Sequence, residues 1–232
     1  MTAFVLIHGG FMGGWVWKPT GQVLAAAARE VYAPTLDGCG ERASQVRPGI
    51  TLTSQAEEVA EMLFLQDIND AVLVSTSTGG LVAAKTAELA RKRVRHLVFV
   101  DALAPQPGEA ISDIVIPQPN MSYEFTELTR VLSRSFMETG MFRDLQPDLR
   151  SWAMARYTPH PISTSGSPGE LDSFWAQSWS ATVINCIRDP NPPETHQRRT
   201  AETLNAPYLE LDAGHFPMLS HPEELAALLL SI

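Results

Sequence analysis

Ala71-Val72-Leu73-Val74-Ser75-Thr76-Ser77-Thr78-Gly79-Gly80, running into the helical pattern Leu81 to Ala90, is the stretch on which the reading of this chain turns. Four consecutive apolar residues suit a strand covered on both faces. A serine on so abrupt a passage from strand to helix is held in a strained conformation. Its hydroxyl stands exposed above the sheet, with the helix N-terminus aimed at any developing negative charge. Ser77 is therefore the candidate nucleophile. Small residues are needed two before and two after it, because larger side chains would collide with the neighbouring strands and helix. Gly79 supplies one, but Ser75 stands where a glycine is usual, so the motif reads Ser-x-Ser-x-Gly. The competing reading is plain helix capping, which Ser and Thr also favour.

Outward from this turn, similar short apolar runs recur at Phe4 to Ile7, Val31 to Ala33, His96 to Val100, Val183 to Ile187 and Tyr208 to Leu211. Helical patterns lie between them at Pro19 to Glu30, Ser54 to Leu65, Thr78 to Ala90 and Pro222 to Leu230. The alternation predicts an α/β fold with a doubly wound, mostly parallel sheet, whose chemistry collects at the carboxyl ends of the strands. From about 105 to 180 the rhythm breaks. Prolines are frequent, helical fragments are read around Glu124 to Phe136 and Asp148 to Arg156, and Ser163 to Gly169 is rich in turn residues. Because the strand pattern resumes at Val183, this segment predicts a small inserted helical cap on one domain spanning 1–232. The aromatic rings of the cap can glue it to the sheet or line a pocket. Phe11, Trp152, Phe174 and Trp175 are the candidate substrate-binding residues.

The first strand leads into His8-Gly9-Gly10-Phe11-Met12-Gly13-Gly14-Trp15. In acyl transfer a carbonyl oxygen becomes an anion, and two backbone N–H groups aimed at it are worth about 3 to 4 kcal/mol each. Gly10 and Thr78, the residue after the nucleophile, are the expected donors, with Phe11 the second choice for the first. A phosphate-cradling loop would need Gly-x-Gly-x-x-Gly or a Gly-Lys-Ser ending, and neither is present. His8 is read as a hydrogen-bonding partner of the loop backbone rather than a titrating group.

The candidate base is His215, in Asp212-Ala213-Gly214-His215-Phe216-Pro217, just past the last strand. From there an imidazole can reach Ser77 across the carboxyl edge of the sheet, take its proton and return it to a leaving group. The other histidines are placed less well. His96 opens a strand, His160 lies in a Pro-rich cap loop, His196 falls on a helix expected to be exposed, and His221 caps the last helix. The third member must be a carboxylate that holds the imidazole tautomer. Asp189 follows the strand Val183 to Ile187 and satisfies the chain order Ser, Asp, His. Asp101, at the end of the preceding strand, is its rival, and Asp212 is the weakest.

Composition narrows the partners. Hydrophobic residues make up 44% and charged residues 19%, an ordinary globular balance that argues against disorder. A net charge of −9 offers no electrostatic footprint for nucleic acid or an anionic membrane. No apolar run approaches the ~20 residues needed to span a bilayer. Cys39 and Cys186 are far apart and lack metal-ligand spacing, so neither a disulfide framework nor a metal site is expected. The expected setting is the cytoplasm, and the expected partners are a small-molecule substrate and a second copy of the chain in a homodimer.

These residues together resemble the α/β-hydrolase superfamily, and within it the branch of small cofactor-free hydrolases that includes plant methyl-esterases and hydroxynitrile lyases. The resemblance covers almost the whole chain. It rests on His8-Gly9-Gly10 with Gly13-Gly14-Trp15, on Pro34-Thr35-Leu36-Asp37-Gly38-Cys39-Gly40-Glu41-Arg42, on the Ser77 turn, on His96 to Ala102 and on Asp212 to Pro222. It implies an esterase-like enzyme with a Ser77, His215, Asp189 triad that works through an acyl-enzyme without a cofactor. Ser75 and Met12 depart from the usual glycine and histidine of relatives. The lyases resemble a variant with threonine after the first histidine and lysine after the catalytic one. Gly9 and Phe216 occupy those places here, which favours hydrolysis. A lyase or cyclase using the same triad, and a ligand-binding protein on a hydrolase scaffold, are the alternatives.

Overall fold

A computed structural model describes residues 2–232. Met1, where the sequence reading starts the domain, lies outside the described residues. Six strands, β1 (Ala3–Ile7), β2 (Glu30–Tyr32), β3 (Ala71–Ser77), β4 (Val94–Ala102), β8 (Ala181–Cys186) and β9 (Tyr208–Leu211), form one sheet in the order β2-β1-β3-β4-β8-β9. Every pairing in it is parallel. Parallel pairing requires crossovers, and helices α1 (Lys18–Ala26), α2 (Leu52–Leu65), α3 (Gly79–Leu89), α5 (Glu194–Leu204) and α6 (Pro222–Leu230) lie between or after the strands.

The unbroken apolar runs are explained by cover on both faces. Successive strand side chains point to opposite sides. Ala3, Val5 and Ile7 of β1, with Leu73 of β3, pack toward Leu52 and Val59 of α2 and Ala83 and Ala87 of α3. Phe4, Leu6, Val72 and Val74 face the opposite core, with Trp17, Leu24 of α1 and Leu225 and Leu229 of α6. Chain order reverses between β1 and β3, so their carboxyl ends flank the crevice that such sheets use for ligands.

Between β4 and β8 the chain builds a cap. Within it β5 (Tyr123–Phe125), β6 (Thr129–Leu132) and β7 (His160–Pro161) form a small antiparallel sheet, and α4 (Pro147–Met154) follows the ribbon. The helix read from sequence around Glu124 to Phe136 is corrected here. Most of that stretch is a hairpin, with Tyr123 opposite Leu132 and Phe125 opposite Arg130. Its aromatic and β-branched residues suit a strand. The Thr126 hydroxyl accepts the amides of Leu128 and Thr129 at 3.3 and 3.0 Å and closes the turn.

Candidate active site

The turn after β3 has the strain expected of an exposed nucleophile. Ser77 sits at φ 51, in the left-handed region that a non-glycine residue enters at a cost. The turn is tight enough that a Cβ on Gly79 would come within 2.6 Å of the His8 carbonyl oxygen, and one on Gly9 within 2.6 Å of the Ser77 Cβ. Ser75, in the place of a glycine, is accommodated without conflict. It is fully buried, and its hydroxyl donates to the Val98 carbonyl of β4 at 3.2 Å. Thr78 forms the N-cap of α3.

Gly10 and Thr78 line the same cavity as Ser77 and His215. Among the described residues neither of their amides donates to another group of the protein, which leaves both N–H groups available to a bound oxygen. Phe11, also on the cavity wall, takes φ 67 and is tied back through its carbonyl to the Thr158 amide at 2.9 Å. His8 is fully buried and bonds the loop: its ring lies 2.8 Å from the Gly9 carbonyl and accepts the Leu36 amide at 3.1 Å. Burial lowers its pKa to about 4, so it stays neutral.

His215 follows β9 and is buried, its ring edge-on to Phe216 at 5.1 Å. The loop that carries it is held by the Gly214 amide, which donates to Asp144 at 2.9 Å. The Nδ1 atom meets two carboxylates: Asp101 Oδ2 at 2.6 Å and Asp189 Oδ2 at 2.9 Å. The other oxygen of Asp189 accepts the Asn191 amide at 3.2 Å and a bond from Arg143 at 3.4 Å. Asp101 is fully buried, and its other oxygen accepts the Cys186 amide at 3.4 Å.

Asp101, the rival in the sequence reading, thus stands beside Asp189 rather than in place of it. The cause is a bulge. Pairing of β3 with β4 steps from Thr76 opposite Val100 to Ser77 opposite Ala102, and the skipped residue, Asp101, takes φ 47. A bulge beside a site re-aims one side chain, and no local residue pattern announces it. Asp212, the third carboxylate considered, is exposed and pairs with Arg188 at 2.6 Å.

Burial pushes the Asp101 carboxyl up to about 7; the His215 bond opposes this and the neighbouring Asp189 charge adds to it. Burial by itself would lower His215, but the two carboxylates outweigh it and raise the ring. The protonation of Asp101 and that of His215 therefore depend on each other. Together with Asp189 they are also the one set of three acidic, histidine or cysteine side chains among the described residues with donor atoms within 4.8 Å of one another. A zinc ion bonded tetrahedrally at about 2.0–2.2 Å would hold its ligands more than ~3 Å apart. The short spacing to Asp101 is that of a hydrogen bond from the ring N–H, with Asp189 in charge contact beside it.

The cavity measures about 520 Å³ and is walled largely by the cap, including Tyr123, Phe125, Arg130, Phe136 and Met141. Trp152, Phe174 and Trp175, read from sequence as pocket lining, stand elsewhere. Trp152 packs edge-on against Trp15 at 5.2 Å, with Arg156 over its face. Phe174 is fully buried and stacks on Trp179, while the Trp175 indole donates to the Pro105 carbonyl at 2.6 Å. These rings bind the cap to the sheet. His196 is corrected as well: it is buried, and its ring accepts the Ala104 amide at 3.1 Å. Among the described residues no hydrogen bond yet joins the Ser77 hydroxyl to the His215 ring. Such contacts often tighten only around a substrate.

Comparison with known proteins places this geometry in context. A model of the alpha/beta hydrolase family matches residues 4–228. A carbendazim hydrolyzing esterase from Nocardioides sp. (strain SG-4G) is 26% identical, with all of both chains covered. Methylesterase 7 of Arabidopsis thaliana is 28% identical, covering 99% of this chain and 95% of that one. In fold, an extracellular alpha/beta-hydrolase from a Paenibacillus species superimposes with a TM-score of 0.84 at 19% identity, covering 100% of this chain and 98% of that one.

Proposed function

The chain belongs to the alpha/beta hydrolase family, and from that premise we propose that it is a serine esterase acting on small, partly apolar esters through an acyl-enzyme. One observation carries this reading. Ser77, on a strained turn, shares a cavity with the unengaged amides of Gly10 and Thr78 and with a histidine whose Nδ1 is held by carboxylates.

In this mechanism the Ser77 hydroxyl attacks the ester carbonyl as its proton passes to His215 Nε2. The Gly10 and Thr78 amides receive the oxyanion. Collapse of the tetrahedral intermediate breaks the C–O bond, and the departing alcohol takes the proton from His215. Water then gives a proton to His215 and attacks the acyl carbon; the acid leaves as the proton returns to Ser77. Asp189 and Asp101 together hold the ring so that Nε2 faces the serine, and they stabilise the transient imidazolium. The names of the relatives, a carbendazim hydrolyzing esterase and a methylesterase, support a compact ester or carbamate as substrate. Two buried free thiols, Cys39 and Cys186, support a reducing cytoplasm as the setting.

The experiment is hydrolysis of a panel of chromogenic esters, carbamates and anilides, with an organophosphonate as a covalent probe. Wild type is expected to turn over esters and to be labelled at Ser77, and Ser77→Ala to do neither. A folded wild type that is neither labelled nor active on the panel sinks the reading.

A further inference from the structure

Arg130 is out of keeping with the rest of the protein. It projects from β6 into the wall of the cavity, with Tyr123 and Phe125 of the opposing strand also on that wall. Its guanidinium carbon lies 5.6 Å from the centre of the Tyr123 ring and 6.0 Å from that of Phe11. Among the described residues it makes no ion pair, and its Nε is buried with no hydrogen-bond partner. Arg150 and Arg199 also bury an unpartnered Nε, but both donate through their terminal nitrogens, Arg150 to the Arg143 and Leu145 carbonyls and Arg199 to Glu109. Arg130 has no such compensation.

A half-buried guanidinium without an acceptor is unfavourable, and a chain of net charge −9 has no lack of carboxylates with which to pair it. Among the described residues Asp189 is the only carboxylate on the cavity wall, and it is already committed to His215 and Arg143. Burial lowers the pKa of Arg130. A guanidinium remains charged even so, and its planar fork matches a carboxylate through two parallel hydrogen bonds. Two aromatic rings beside it help hold the guanidinium against the cavity wall.

We propose that Arg130 is the anion-recognition residue of this cavity, and that the substrate is an ester carrying a second, free carboxylate, such as a half-ester of a dicarboxylic acid. The proposal rests on the esterase reading for the scissile bond and adds the group that the cap selects. The ester carbonyl then lies at Ser77, the apolar chain runs along the ring wall formed by Phe11 and Tyr123, and the distal carboxylate meets Arg130.

The test compares monomethyl adipate with methyl heptanoate, following methanol release by NMR, in wild type, Arg130→Met and Arg130→Lys. Wild type is expected to favour the charged ester in kcat/KM by about 10- to 100-fold, the usual range for a charge-assisted pair. Arg130→Met should erase that ratio chiefly through KM, and Arg130→Lys should keep part of it. Calorimetric titration of adipate into Ser77→Ala, with and without Arg130→Met, reads binding without turnover. There Kd is expected to rise at least tenfold on loss of the guanidinium. Adipate binding that depends on Arg130 in a protein that cleaves no ester would overturn the esterase reading alone. A wild type that hydrolyses both esters equally, or an Arg130→Met variant with the wild-type ratio and the wild-type Kd, overturns the anion site alone.

Discussion

The parallel sheet and the cap above it differ in how they hold the charged groups that face the cavity. At the sheet edge the groups around the reacting atoms are tied to neighbours: Ser75 bonds Val98, His8 bonds Gly9 and Leu36, and Asp101 bonds Cys186 and His215, although the Thr76 hydroxyl beside them is buried without a partner. The cap is Pro-rich, built from short elements, and it presents the cavity with a guanidinium that, among the described residues, makes no ion pair or hydrogen bond. The difference teaches a division of labour. Atoms that react are positioned by the backbone of the sheet, where a shift of a fraction of an ångström meets a neighbour. Atoms that select are carried by the cap, which also steadies the base through Asp144 and Arg143.

The strongest challenge to that division is Ser77→Ala. It should lower kcat/KM roughly 10⁴- to 10⁶-fold with the melting temperature close to wild type, since the hydroxyl is the reacting group and not a packing element. A mild loss would move the nucleophile off the sheet edge.

Next in size is the pair of carboxylates. Asp189→Asn and Asp101→Asn singly should each cost less than the double substitution, because either anion alone can hold the Nδ1–H; the double variant should approach the ~10⁴-fold loss typical when a triad acid is neutralised. Steady-state kinetics of the three proteins decides it. Equal losses in Asp189→Asn and the double variant would show that Asp101 contributes nothing to the base.

A smaller effect concerns pH. The base must be neutral to accept a proton, and its two carboxylate neighbours favour the charged ring, so the rising limb of kcat/KM should lie above the ordinary histidine value of about 6.5. The sequence alone places that limb near ~6.5 to 7 for an unperturbed ring. Removing the Asp101 charge takes away part of the upward push, so in Asp101→Asn the limb should move down by about one pH unit. A pH–rate profile with the wild-type limb at or below 6.5, or with the variant limb displaced upward, contradicts the arrangement.

The smallest expected effect is that of Ser75→Ala. Loss of its bond to Val98 should lower stability by about 1 kcal/mol in denaturant unfolding, with kcat little changed. A large fall in kcat with unchanged stability would instead tie this serine to the reaction.

Residue order alone carried the alternating strands and helices, the strand-to-turn-to-helix passage at Ser77, the glycines after β1, and a histidine just beyond the last strand. Each of these is a local signal, because apolar period, chain stiffness and steric room for a turn are set by residues within a few positions of one another. The hairpin of β5 and β6 differs from the helix expected there, because its aromatic and β-branched residues gain most by pairing across a turn, and that pairing depends on a partner strand. The roles of Trp152, Phe174 and Trp175 depended on which neighbours they met, and composition does not encode neighbours. Only the folded chain could place Asp101 beside Asp189, because a one-residue slip in register between β3 and β4 turns that side chain toward a histidine 114 positions away. The same holds for Arg130, which becomes an unpaired cation on a cavity wall only once the loop after β1, carrying Phe11, and the strands β5 and β6 have come together.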